Sequence, residues 1–151
     1  MIEKIVNFSK PALNGLNSLS CLIDLTLRLW VAKVFFDSGL TKIANMDSTV
    51  ALFENEYKVP VLSPEIAAYL GTAAELSLPV FIALGLATRL STGALFVFNI
   101  IAVLSYPFLL TEDGAVGLRD HIYWGLMMLV ILLHGPGRLS IDHLIRKKYL
   151  P

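Results

Sequence analysis

Five ionisable side chains lie inside stretches of the chain that are otherwise apolar. Asp24, Arg28, Lys33 and Asp37 fall between Leu19 and Leu40, and Glu75 falls between Pro64 and Ala87. On insertion scales a charge at the centre of a lipid-facing helix costs about 2.5–3.5 kcal/mol, so these groups must face protein, water or one another. Asp24 and Arg28 are four positions apart, as are Lys33 and Asp37, so each pair can meet on one helical face. Arg28 and Lys33 differ by five positions, roughly 140° around the axis, which turns the two pairs toward different neighbours. Counted from Leu19, Arg28 lies about 13 Å below the cytoplasmic surface. Glu75, counted from the opposite end of its own helix, and Asn99, counted inward from Leu90, reach a similar level in a hydrocarbon core of about 30 Å. This depth count predicts a buried Arg28–Glu75 bridge with Asn99 nearby, acting as a packing clamp ahead of any catalytic pair.

A second polar group gathers toward the opposite face. Asp37 belongs to it, with Tyr106, Arg119, Asp120 and His121, and with Tyr123 and Trp124 just below. An aromatic cleft holding a carboxylate and a histidine suits a quinone or another redox-active ring, which needs a flat apolar slot and groups that exchange protons near neutral pH. Asp37 and His121 are the candidate catalytic, proton-exchanging residues, with Lys33 and Arg28 orienting a carbonyl oxygen. The plainer reading of Tyr106, Tyr123 and Trp124 is an interfacial aromatic belt. No metal site is expected: His121 and His134 are about 20 Å apart along one helix. The single cysteine, Cys21, excludes an internal disulfide, a paired-cysteine zinc site, an iron–sulfur cluster and a c-type haem.

The elements that hold these groups follow from composition. The chain has 151 residues, 56% hydrophobic and 16% charged, with 12 basic and 12 acidic side chains and a mean hydropathy of +0.69. A soluble domain carries about a quarter charged residues. Zero net charge offers nothing to a phosphate backbone, so nucleic acid is excluded as a partner. The pattern predicts an all-α membrane protein, a single domain over 1–151 built as a bundle of four spans at about 19–40, 64–87, 90–110 and 119–135. Ser63, Pro64 and Glu65 start the second span, Gly85 to Ser91 turns it into the third, and Gly135-Pro136-Gly137 stops the fourth. Pro79 and Pro107 are expected to kink the second and third. Met46 to Tyr57 reads as a short amphipathic segment on the membrane surface, and Ser140 to Tyr149 as an interfacial helix with a basic end. Residues 1–18 lack the pattern of a removable signal.

Lysine and arginine set the orientation. Lys4, Lys10, Arg89, Arg138, Arg146, Lys147 and Lys148 fall on one side, against Lys42, Lys58 and Arg119 on the other. Both termini are therefore expected in the cytoplasm, in a multi-pass protein of a bacterial-type inner membrane.

Arg28, Phe36, Gly39 and Lys42, followed by Phe53 and Pro60, resemble the opening of DoxX-type proteins. Glu75, the Gly85–Thr88–Arg89 turn and the closing run Gly135, Pro136, Gly137, Arg138, Leu139, Ser140, Ile141, Asp142 are similar to that family's later landmarks, so the likeness spans about residues 24 to 145. The resemblance implies a small four-helix inner-membrane protein associated with respiratory or redox complexes, some relatives working beside oxidative-stress enzymes. It transfers Arg28, Glu75 and the motif residues Gly135, Pro136, Gly137, Ser140 and Asp142 as functional or packing determinants, without a catalytic set.

Two functions are thus in play. One is a quinone-linked accessory component of a membrane redox system, an oxidoreductase subunit only if a partner delivers the electrons. The other is a non-catalytic anchor, assembly factor or small-solute permease. Besides the lipid bilayer, both call for a protein partner or a homo-oligomer.

Overall fold

The computed structural model describes residues 2–149, with side chains from residue 19 onward, and holds six helices with no strand among the described residues. Lys4 and Lys10, counted above toward orientation, lie outside the described side chains. The helices are α1 (Ile2–Ala44), α2 (Met46–Asn55), α3 (Pro64–Leu84), α4 (Thr88–Ser105), α5 (Ala115–His134) and α6 (Ile141–Tyr149). α1 packs on α3, α3 on α4, α4 on α5 and α5 on α1, which closes a four-helix ring.

Local chemistry explains most boundaries. Asn45 breaks α1 from α2 and caps the latter, its side chain accepting from the Ser48 N–H at 3.0 Å. Ser63 caps α3 in the same way, with Pro64 in the first turn and Gly85 ending the helix at φ +67°. Pro79 sits inside α3, buried. The other expected kink is corrected. α4 stops at Ser105, and Pro107 opens a 3-10 turn over Pro107–Leu110, because a proline without an N–H continues a new turn more easily than an old ladder. Gly114 then lies where a Cβ would fall 2.0 Å from the Phe108 carbonyl oxygen, so only glycine permits this return into α5.

The core is Val31, Phe35, Ile82, Leu95, Met128 and Ile131. Outside it large apolar residues are exposed all round, among them Leu70, Leu90, Leu104, Leu126 and Leu133. Buried positions meanwhile include Thr72, Thr88, Ser91, Thr92, Asn99 and Ser105. Grease outside with small polar contacts inside is the arrangement of helices packed in lipid, where apolar surface gains nothing by leaving the solvent. α3, α4 and α5 are each long and apolar enough to cross a membrane. α1 is a continuous helix through the first expected span, punctuated by Asp24, Arg28, Lys33 and Asp37.

Vertical register decides where the charges meet. Gly39 of α1 touches α3 at Glu75 and Leu76: a Cβ there would lie 3.1 Å from the Glu75 Cβ and 2.9 Å from Leu76 Cδ2. Arg28 reaches Ile82, Ala83 and the Gly85 turn, at the other end of α3. Arg28 therefore stands at the C-terminal end of α3, not midway along it.

Candidate functional site

That register overturns the expected bridge. Arg28 and Glu75 are separated along the bundle by the 11 residues from Arg28 to Gly39, about 16 Å. Glu75 pairs instead with Lys42, whose Nζ lies 2.6 Å from both carboxylate oxygens and 3.1 Å from the Ser38 hydroxyl. Ser38 also donates to Glu75 at 3.3 Å. Glu75 is buried, its side chain 6% exposed, and Lys42 is mostly covered at 17%, so the pair is largely desolvated rather than a surface contact. Lys42, expected on the outer surface, is inside the bundle. Asn99 meets neither Arg28 nor Glu75. Its amide donates to the His121 carbonyl at 3.1 Å, and its oxygen accepts from His121 Nδ1 at 2.7 Å. This commits Nδ1 as the donor and leaves Nε2 as the ring nitrogen available to a ligand.

These groups converge on a cavity of about 440 Å³ between α1, α2, α3, α4 and α5. Ser38, Lys42 and Glu75 line it with His121, Trp124, Phe35 and Phe98; Phe53, Tyr57, Ser105 and Tyr106 close another side. α2 supplies part of that wall because its apolar face folds onto Ala67 and Ala68 of α3. The amphipathic segment expected over Met46 to Tyr57 is thus a helix laid against α3. Its end is fixed by a ladder of rings: Tyr57 stacks on Phe53 at 4.5 Å and on Tyr106 at 4.7 Å. Tyr106 donates to Glu56 at 2.9 Å, and the Lys58 N–H donates to the Ser105 carbonyl at 2.7 Å, tying the segment to the end of α4. Burial, then the neighbouring Tyr106, Glu75 and Glu56, pushes the Tyr57 phenol up to about 12, so it keeps its proton at any ordinary pH. Trp124 packs its edge on Phe35 at 5.6 Å and on His121 at 4.8 Å.

Of the residues picked out by sequence, His121, Trp124, Tyr106 and Glu75 line this cavity, and Asn99 orients His121. Asp37, Lys33, Asp120 and Tyr123 do not. Lys33 and Asp37 bond to each other on the exposed face of α1, away from His121, so they are not the cavity's acid and cation. Tyr123 is 51% exposed on the outside of α5. Sequence reasoning missed Lys42, Ser38, Ser105 and Tyr57 as cavity residues. Lys42 had a signal: it falls 14 positions after Arg28, about 40° short of four full turns, and so shares its face.

The far end of the bundle, at Arg28, uses charge in another way. Arg28 is 1% exposed and donates to the Leu139 carbonyl, and at 3.5 Å to those of Ile82 and Ala83. Asp24, expected to pair with it, is half-buried beside Gly137 and forms no ion pair within 4 Å among the described residues. Gly135 and Gly137, at φ +96° and +71°, flank Pro136 and fold the chain after α5 over this end. Ser140 then caps α6, accepting from the His143 N–H at 3.1 Å. α4 lacks a capping side chain of its own, and Asp142 provides one, accepting from the N–H groups of Ala87 and Thr88 at 2.8 Å and from the Thr88 hydroxyl at 2.7 Å. Burial alone would raise this carboxyl; the hydrogen bonds from Thr88 and Ala87, with Arg146, outweigh it and hold it below the ordinary value.

The DoxX family model matches residues 23–107, from the middle of α1 through α4 and over Lys42, Glu75 and Asn99. The closing motif Gly135–Asp142 falls outside the match. The chain is also 29% identical over 132 residues to an uncharacterized protein of Haemophilus influenzae, covering 83% of this chain and 84% of the other. No solved structure matches. With more than half its length matched and the matched part forming most of the bundle, the chain belongs to the DoxX family.

Proposed function

We propose that this membrane protein binds a flat, apolar, redox-active ring of the quinone class in the cavity beside Lys42, Glu75 and His121. In this reading it serves as an accessory component of a membrane redox system. α1 is the fourth span, so that Arg28 and the Gly135–Asp142 cap lie at the cytoplasmic side with both termini. Moving Lys42 into the bundle leaves Lys58 and Arg119 as the basic residues of the outer side, which strengthens the charge bias behind that orientation in a bacterial inner membrane.

The observation that carries the reading is the cavity's composition: aromatic walls around one buried ion pair, one histidine nitrogen and one orphan hydroxyl. Ser105 is 2% exposed, and its hydroxyl has no hydrogen-bond partner among the described residues. A buried donor without an acceptor is costly unless something completes it, and a ring oxygen fits that role. A quinone, when bound, supplies carbonyl-to-hydroxyl chemistry with two electrons and two protons, the electrons coming from a partner protein. The chain's part is to hold the ring between aromatic faces, donate from Ser105, and hold or release protons at Glu75 and at His121 Nε2. Lys42 keeps the Glu75 carboxylate in place, and Asn99 keeps His121 turned.

The second reading is a non-catalytic anchor, assembly factor or small-solute permease. The saturated Lys42–Glu75–Ser38 contacts favour it, since a clamp needs no ligand. Solvent extraction of protein purified in mild detergent, followed by quinone assay, separates the two. Stoichiometric quinone, a raised melting temperature on adding a short-chain quinone, and loss of both in His121→Phe support the first. Quinone-free protein whose melting ignores the additive overturns it and leaves the clamp.

A further inference from the structure

Among the described residues, Lys33 and Asp37 are the one ion pair of α1 that the bundle does not use. Their side chains are 73% and 53% exposed, on a stripe with Leu29, Trp30 and Leu40, which are 48%, 57% and 47% exposed. Counted from Arg28 at the inner end, they stand about 7 and 13 Å up the helix, within the hydrocarbon if α1 spans. An ammonium has three N–H donors, and Asp37 satisfies one of them; the rest have no partner among the described residues on this 73% exposed side chain. A lipid-facing helix does not leave an ion pair half-satisfied in acyl chains, so something polar covers it.

We propose that this face of α1 receives a second copy of the same chain, related by a two-fold axis along the membrane normal. The proposal rests on the reading of α1 as the fourth span. Charge complementarity selects the occupant. Under such an axis two α1 helices run parallel, with like positions at the same height, and four residues set Lys33 and Asp37 about 6 Å apart. Each lysine can then reach the other copy's aspartate while keeping its own. The result is a neutral ring of four alternating charges, with every added donor met by an added acceptor. A patch carrying one charge of each sign is self-complementary, as an isologous interface requires. Any different partner has to bring its own matched pair at the same spacing. Beside the stripe, a shallow hollow of about 330 Å³ between α1 and α3, floored by Phe36, Pro79 and Val80, leaves room for the partner's large side chains.

Charge reversal tests this in lipid nanodiscs or mild detergent, read by native mass spectrometry. The wild type is expected to be a dimer. Lys33→Asp and Asp37→Lys, each alone, place like charges around the axis and should weaken dimerisation at least tenfold. Mixing the two variants should restore heterodimers, and the Lys33→Asp/Asp37→Lys double variant should dimerise as the wild type does. Trp30→Cys on a Cys21→Ala background should form a disulfide between copies in native membranes. A wild type that stays monomeric, single variants that dimerise normally, or a co-purifying different protein lost in both variants without rescue on mixing would each overturn the proposal. Asp37→Cys in sealed vesicles distinguishes its foundation: labelling by a membrane-impermeant thiol reagent sinks the span, and the interface with it. A shielded thiol on a monomer sinks the interface alone.

Discussion

Arg28 and Lys42 occupy the same face of α1, 14 residues apart, and the bundle treats them in opposite ways. Arg28 is surrounded by backbone: its guanidinium holds carbonyls from α3 and from the segment after α5, while nearby Asp142 takes up the free N–H groups of α4. Lys42 is surrounded by side chains around a void, and its partner is another titratable group. Charge answered by backbone fixes geometry and has no second protonation state to offer. Charge answered by a carboxylate beside a cavity can be redistributed when something enters. The Arg28 end thus has the chemistry of a fastening and the Lys42 half that of a site.

If that contrast is right, Lys42 and Glu75 should behave as a pair. Glu75→Leu leaves the Lys42 ammonium buried alone and should cost about 3–5 kcal/mol of stability, followed by denaturant unfolding in detergent. Adding Lys42→Leu should recover most of the loss, because two apolar side chains replace two charges. A double variant as unstable as the single would mean that the cavity depends on the ions for its shape.

The Arg28 end should show no such rescue. Arg28→Leu removes a charged donor from buried carbonyls and should cost about 2–3 kcal/mol. No single second substitution repairs it, since the acceptors are main chain. Gly85 sharpens the point: a Cβ there would lie 2.1 Å from Arg28 Nη1 and 2.5 Å from the Ser140 Cβ, at a φ that favours glycine. Gly85→Ala should therefore reproduce much of the Arg28→Leu defect in the same unfolding assay.

The helices were legible in the sequence because their signals are local. Ser63-Pro64, Gly85 and Gly135-Pro136-Gly137 mark ends whatever the surroundings. The pairing of charges was not, because it depends on register between helices far apart in sequence. Counting depth from Leu19 set Arg28 level with Glu75, whereas it stands at the C-terminal end of α3, and the predicted bridge followed from that error. Helical phase was the better guide. From Arg28, Lys33 lies about 140° and Asp37 about 180° around α1, which already sets both on the far face. Asp142 as the cap of α4 was invisible for a related reason: the sequence before Thr88 shows no capping residue, and its substitute arrives from 54 positions later.

A smaller effect distinguishes the fastening by pH. Asp142→Asn should cost about 1 kcal/mol near neutrality, the scale of a lost helix cap. In the wild type this carboxyl titrates below its ordinary value in the fold, so the unfolded chain takes up its proton first as pH drops. The contribution is then complete above about pH 4 and is lost as pH falls through the depressed folded value. Melting curves of the wild type and Asp142→Asn should converge at low pH and separate above it. Parallel curves throughout would mean that the carboxylate charge is irrelevant to the cap.

The smallest change in stability should come from Ser105→Ala, and the contrast with Thr88→Val makes it informative. Both hydroxyls are buried at the ends of α4, but Thr88 donates to Asp142 whereas Ser105 has no partner among the described residues. Removing a satisfied hydroxyl loses a charge-assisted hydrogen bond, about 1.5–3 kcal/mol before relaxation. Removing an orphan one loses nothing in the empty protein and can stabilise it slightly. If Ser105 is there for a ligand, Ser105→Ala should leave the melting temperature of quinone-free protein within about 1 °C of the wild type and still reduce the shift produced by added quinone. Titrating a short-chain quinone against both variants reads this directly. An unchanged ligand response in Ser105→Ala would return the hydroxyl to the packing of α4 and remove a buried cavity donor that has no partner among the described residues.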